Sequence, residues 1–138
     1  MSDFLFPVKT TLRIDWSELD FLGHVNNISF FKYIQASRIN CLERMGFTVI
    51  SPEITIGPIL ASAKCDFRQS LYYPGQVFMQ ARVEFIKTTS FGIAHQLFND
   101  KNELAAEAHD VIVLYDYQKN EKVKIPAELR ARIQSIAQ

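Results

Sequence analysis

Two cysteines in 138 residues are too few to build a disulfide framework, and Cys41 and Cys65 lack the CxxC spacing of a zinc or redox pair. Each interrupts an apolar run, where a thiol packs as a small hydrophobe and stays inert. Excess charge is also missing, since fifteen Lys plus Arg balance fifteen Asp plus Glu. That balance removes the electrostatic footprint of nucleic-acid or anionic-membrane binding and favours a small-molecule partner. No stretch approaches the roughly 20 apolar residues of a membrane span, and the opening Met-Ser-Asp-Phe-Leu-Phe-Pro has neither the basic nor the apolar region of a secretory signal. The reading is of a soluble, unprocessed cytoplasmic protein with reduced thiols, its residues 1–138 forming one domain. No repeat, linker or low-complexity segment interrupts it.

What the chain does have is periodicity. Val8 to Trp16 alternates, with Thr10, Leu12, Ile14 and Trp16 on one face and Lys9, Arg13 and Asp15 on the other, as a first strand does. After a polar stretch from Ser17 to Asn27, the residues Ile28, Phe31, Ile34, Leu42 and Met45 recur at helical spacing until Gly46 provides a stop. A neighbouring set, Phe30, Tyr33, Ser37 and Cys41, widens the apolar stripe, so the helix is expected to be buried over most of its circumference. Four segments of strand character follow: about 59–67, 76–87, 90–99 and 104–115. Turn residues such as Tyr-Tyr-Pro-Gly and Asn-Asp-Lys-Asn separate them, and the short connections predict an antiparallel meander. From Pro126 onward, Leu129, Ile133 and Ile136 share one side of a short amphipathic helix. The predicted class is α+β, with one antiparallel sheet of five strands curled around one long helix.

The loop entering that helix is the densest polar cluster in the chain. In Asp20-Phe-Leu-Gly23-His24-Val25-Asn26-Asn27 a carboxylate precedes a helix start, and Gly23 permits the tight turn between them. A helix N-terminus offers unpaired N–H groups and the positive end of the macrodipole, so negative charge developing on a carbonyl oxygen is stabilised there. The amides of Val25, Asn26 and Asn27 are the candidates. From residue types alone the plainer reading is an Asx-turn at Asp20 and an N-cap at Asn26 or Asn27.

The segment continues as Ile-Ser-Phe-Phe-Lys-Tyr-Ile-Gln-Ala-Ser-Arg38. The whole resembles the D-x-x-G-H-V-N-N-x-x-Y-x-x-Y-x-x-x-x-R signature of the 4-hydroxybenzoyl-CoA thioesterase-like hotdog family, with Phe30 at the first tyrosine and Gln35, Ala36 and Ser37 where relatives carry an acidic residue. Asp66 to Gly75 is similar to that family's strand-Pro-x-Gly turn, and Ile125-Pro126-Ala-Glu-Leu129 to its closing helix. The resemblance implies the hotdog fold and an acyl-CoA thioesterase. Asp20 then corresponds to the catalytic aspartate, as nucleophile or as general base for water. Asn27 corresponds to the residue whose backbone amide holds the carbonyl oxygen, with Asn26 and Gly23 shaping the loop and His24 in support. It also implies a homodimer or homotetramer, whose sheets join edge to edge and whose sites draw on both chains.

On that reading the acyl group meets the long helix at Phe30 or Tyr33. The phosphates of CoA, which is part of the substrate and not a cofactor, meet Arg68, Arg82 and Lys87 or the hydroxyls of Thr88, Thr89 and Ser90. No organic cofactor and no metal is expected, because His95 and His109 sit in separate strands without ligand spacing. Glu18, close to Asp20 in the chain, reads either as its partner in a carboxylate pair or, more simply, as part of a solvated face. Two other readings stand beside hydrolysis. One is a non-catalytic acyl-CoA or acyl-carrier binding protein; the other is a hotdog dehydratase or hydratase, which would pair a histidine with a distant acidic residue.

Overall fold

The computed structural model describes residues 5–47 and 53–137, so the first four residues of the opening segment lie outside it. Strand β1 spans Val8–Arg13, and a short 3₁₀ turn, Trp16–Glu18, follows it. Helix α1 spans Asn27–Arg44. Strands β2, Ile56–Phe67, β3, Gln76–Ile86, β4, Ser90–Phe98, and β5, Leu104–Asp116, then build the sheet. A two-residue strand β6, Glu121–Lys122, and helix α2, Ala127–Gln134, close the chain.

The sheet order is β1-β3-β4-β5-β2, with β6 added on β5, and every pairing is antiparallel. The expected meander holds for β3, β4 and β5 only. β2 crosses to the far side of β5, because alternation makes a strand without naming its partner. Its long register, from Ile56 against Asp116 to Phe67 against Ala106, binds it there.

Two further expectations are corrected. β1 stops at Arg13, since the Asp15 carboxylate accepts the Ser17 amide and the Glu18 carboxylate accepts the Asp15 amide. That reciprocal capping starts a helical turn and leaves Trp16 exposed. On α1 the inward stripe is Phe30, Tyr33, Ile34, Ser37 and Cys41, whereas Ile28 and Phe31 point outward, 75% and 40% exposed. The helix therefore has one covered face in a single chain. β6 is the strand that the periodicity missed, its two residues being too few to alternate.

The concave face of the sheet meets α1 through two apolar clusters. One gathers Phe30, Tyr33 and Ile34 with Val25, Leu71, Val77, Met79 and Leu97. The other gathers Cys41 and Met45 with Ala81, Val83, Phe91, Ile93 and Ile112, closed by Ile133 and Ile136 from the C-terminal segment. The helix ends where Gly46, at φ +91°, takes the left-handed conformation that glycine adopts without strain. No helix of the described residues is long and apolar enough to cross a membrane.

Candidate active site

A groove of about 330 Å³ opens where the β1–α1 loop meets the end of β2, and Asp20, His24, Val25, Asn27, Phe30, Phe67, Arg68, Gln69 and Ser70 line it. Local hydrogen bonds explain why the loop has this shape. The Gly23 amide donates to the Asp20 carbonyl at 3.1 Å and closes a tight turn; the positive φ of +84° at Gly23 then redirects the chain so that the His24 carbonyl accepts the Asp20 amide at 2.6 Å. Asp20 Oδ1 accepts the amides of Leu22 at 2.8 Å and His24 at 3.1 Å. This is the Asx-turn of the plainer reading, and it has a chemical consequence. With both bonds on Oδ1, the orientation of the carboxylate is fixed, and Oδ2 accepts no hydrogen bond from the described residues.

The helix start is equally defined. Asn26 is the N-cap, its Oδ1 accepting the Ser29 amide at 2.8 Å. Two of the three amides expected at the site are committed elsewhere: Val25 N–H donates to the Leu71 carbonyl and Asn26 N–H to the Glu18 carbonyl, both at 2.9 Å. Asn27 N–H lies in the first turn, where no helical acceptor exists, and meets no other acceptor among the described residues. The Ile28 amide, which the sequence did not single out, is in the same state.

The other expected residues divide. Phe30 forms the apolar wall with Phe67, their rings edge to face with centroids 5.1 Å apart. The His24 ring is edge to face with Tyr72, and its residue forms an isolated bridge to Tyr72 across the loop. Arg68 stands at the groove, its guanidinium bonded to Glu107 at 3.0 Å. Tyr33 is not a pocket wall: it is 1% exposed, and its hydroxyl donates to Glu18 at 2.7 Å. Lys87, Thr88, Thr89 and Ser90 lie at the opposite end of the sheet. Ser90 is in register with Val113 and Val113 with Ile59, eight β2 residues from Phe67 and so about 27 Å away. Arg82 does not line the groove; its guanidinium lies over the Phe6 ring.

Glu18 is the main correction. It is buried, and although burial opposes its ionisation, the Asp15 amide, the Lys32 ammonium and the Tyr33 hydroxyl outweigh this and hold it below the usual carboxylate range. The Asp15-x-x-Glu18 capping pattern was the available signal. Gln69 and Ser70 were missed as groove residues, because only tertiary folding brings the end of β2 beside the loop. The cysteines behave as expected: burial and the nearby Asp110 push Cys41 up to about 12, and burial and Asp66 push Cys65 up to about 11. His95 is buried against Asp110, and exposed His109 pairs with Glu84 at 2.6 Å. No set of three or more His, Cys, Asp or Glu among the described residues is placed to hold a metal.

Residues 14–133 match the model of the thioesterase-like superfamily, and the chain belongs to it. It is a thioester hydrolase of the hotdog fold. Solved structures agree on the fold. A protein from Pseudomonas aeruginosa strain PAO1 is 23% identical with a TM-score of 0.85, covering 97% of this chain and 94% of its own. A thioesterase from Thermus thermophilus, solved with coenzyme A and Zn, is 26% identical with a TM-score of 0.81 over 96% and 95% of the two chains. A DHNA-CoA thioesterase from Staphylococcus aureus is 17% identical with a TM-score of 0.81 over 92% and 90%. No protein of curated function matches the sequence.

Proposed function

We propose that the chain hydrolyses an acyl-CoA thioester in the groove between Asp20 and the start of α1. One observation supports this reading: Asp20, whose Oδ2 accepts no hydrogen bond from the described residues, and Asn27, whose helix-start amide meets no acceptor among them, line the same groove. The thioester carbonyl oxygen accepts from the Asn27 amide, with Ile28 beside it, and the positive end of α1 stabilises the charge that develops as the carbonyl carbon becomes tetrahedral.

Asp20 acts from the other side. As general base it takes a proton from water, the resulting hydroxide adds to the carbonyl carbon, and collapse breaks the C–S bond; the thiolate takes up a proton, leaving acid and CoA. As nucleophile it adds directly, expels the thiolate and forms an anhydride that water then opens. The same placement of Oδ2 serves both routes. Phe30 and Phe67 give the acyl group an apolar wall.

CoA as the thiol portion is supported by the Thermus thermophilus relative solved with coenzyme A. A second copy is part of the proposal. β2 is a twelve-residue edge strand whose Ile56, Ile59, Leu60 and Phe67 are exposed, and such an edge invites antiparallel pairing with itself. Antiparallel pairing centred on β2 carries the Ile59 end of one copy to the Phe67 end of the other. The turn at Lys87, Thr88 and Thr89 then reaches the partner's groove, which gives those residues the phosphate-binding role that a single chain denies them.

A panel of acyl-CoA esters of graded length, aryl esters included, assayed by release of free thiol tests the reading. Hydrolysis of at least one class is expected. Tight binding of the panel without turnover contradicts it and supports a non-catalytic acyl-CoA binding protein.

A further inference from the structure

Halfway along α1 the apolar packing on the sheet is broken by a polar seam. Ser37 Oγ lies 2.8 Å from His95 Nδ1, and His95 Nε2 lies 2.7 Å from Asp110 Oδ2. Arg38 closes the set from the helix, Nε donating to Asp110 Oδ2 at 2.9 Å and Nη2 to Oδ1 at 3.2 Å. Since an ionised carboxylate only accepts, His95 donates from Nε2–H, and its Nδ1 shares a hydrogen bond with the Ser37 hydroxyl. Ser37, His95 and Asp110 are each 1% exposed or less. The residue types are those of a hydrolase triad, but none of the three lines the groove and no carbonyl can reach a hydroxyl without exposed surface.

The seam lies between the two apolar clusters, with Phe30, Tyr33 and Ile34 on one side of it and Cys41 and Met45 on the other. Apolar contact has no direction and does not by itself fix where a helix stops along its axis. Hydrogen bonds with narrow limits of distance and angle do. A slip of one residue along the axis, about 1.5 Å, breaks all of these bonds at once and leaves Arg38 and Asp110 unpaired in the interior.

Ten residues of regular helix, about 15 Å, separate Ser37 from Asn27, so the position of one determines that of the other. We propose that Ser37, Arg38, His95 and Asp110 are positioning residues, which lock α1 along its axis and thereby set the Asn27 amide against the groove that holds Asp20. This rests on the oxyanion role given to Asn27 above. An oxyanion donor acts on the transition state, so its displacement lowers kcat and leaves KM nearly unchanged.

The test replaces the seam by apolar residues of similar volume, Ser37→Ala, Arg38→Met, His95→Leu and Asp110→Leu together, with Ser37→Ala alone as the milder variant. The expected result is a folded protein whose kcat falls by about 10–100-fold, the scale on which a misplacement near 1 Å acts, with KM within about threefold of wild type. The amide ¹⁵N–¹H resonances of Asn27 and Ile28 are expected to shift in both variants. If the combined variant does not fold, Ser37→Ala decides by the same readings. Wild-type kcat together with unshifted Asn27 and Ile28 resonances in a folded variant overturns the proposal. If wild type itself hydrolyses none of the esters, the oxyanion reading fails, and the resonances alone decide whether the seam places the helix start.

Discussion

The phenolic oxygen of Tyr33 donates to Glu18 Oε1 over 2.7 Å, joining the loop that carries Asp20 to the second turn of α1. The same carboxylate accepts the Asp15 amide at 2.7 Å and the Lys32 ammonium at 2.9 Å, and the Glu18 carbonyl accepts the Asn26 amide at 2.9 Å. One buried residue thus holds the end of β1, the loop and the N-cap of the helix in a single arrangement. In turn Glu18 and the burial around it raise the Tyr33 hydroxyl far above its ordinary range, burial being the larger cause.

Glu18→Ala removes every one of these side-chain bonds and leaves the Tyr33 hydroxyl buried without a partner. A loss of about 1–3 kcal/mol is expected in thermal or denaturant unfolding. Tyr33→Phe keeps the Asp15 and Lys32 bonds and is expected to cost less, about 1 kcal/mol. Equal losses would show that Glu18 does not organise the loop.

Gly23→Ala isolates the backbone of the loop, because a Cβ at this position meets no atom within 4 Å while φ stays at +84°. The expected cost is the conformational one, about 1–2 kcal/mol. Asn, which tolerates positive φ, is expected to restore most of it. Calorimetry on the two variants checks this ordering.

Acid sensitivity follows from the seam. Burial raises the Asp110 carboxyl, but the hydrogen bonds and charges of His95 and Arg38 outweigh it, and the folded-state value lies below the ordinary carboxylate range. A depressed carboxylate contributes stability that is present above its unfolded value, about 3.9, and is lost as pH falls through the folded one. Unfolding free energy measured against pH should therefore fall on acidification below about pH 4. Asp110→Asn should be less stable at neutral pH by about 3–5 kcal/mol, because Arg38 loses its partner, and its acid slope should be shallower.

Thiol reagents give a negative control. With Cys41 pushed up to about 12 and Cys65 up to about 11, both thiols are protonated at neutral pH. Native protein treated with iodoacetamide near pH 7 is expected to keep its activity over hours. Rapid loss of activity in step with alkylation would point to a cysteine nucleophile.

Much of this architecture was legible in residue spacing. Alternation located β2 to β5 to within a few residues, and helical spacing with Gly46 located α1. What spacing cannot carry is partnership. Nothing local distinguishes a β2 paired with β3 from one paired with β5, nor tells that Ile28 and Phe31 are the outward part of an apolar helix while Phe30 and Tyr33 are the inward part. At the site, resemblance singled out Asp20 and Asn27, whereas the assignment of free amides needed the fold, since Val25 and Asn26 are committed to carbonyls at Leu71 and Glu18. The seam was invisible because Ser37 and His95 stand 58 positions apart and meet only when α1 lies on the sheet.

The most direct test of the central claim is the steady-state rate of Asp20→Asn on the best acyl-CoA ester of the panel, with thermal unfolding measured alongside. Asn keeps an oxygen for the Leu22 and His24 amides but can neither accept a proton as a base nor attack as a carboxylate. A fall in kcat of about 10²–10⁴-fold with an unchanged unfolding midpoint is expected. Full activity in the folded Asp20→Asn protein would contradict the claim.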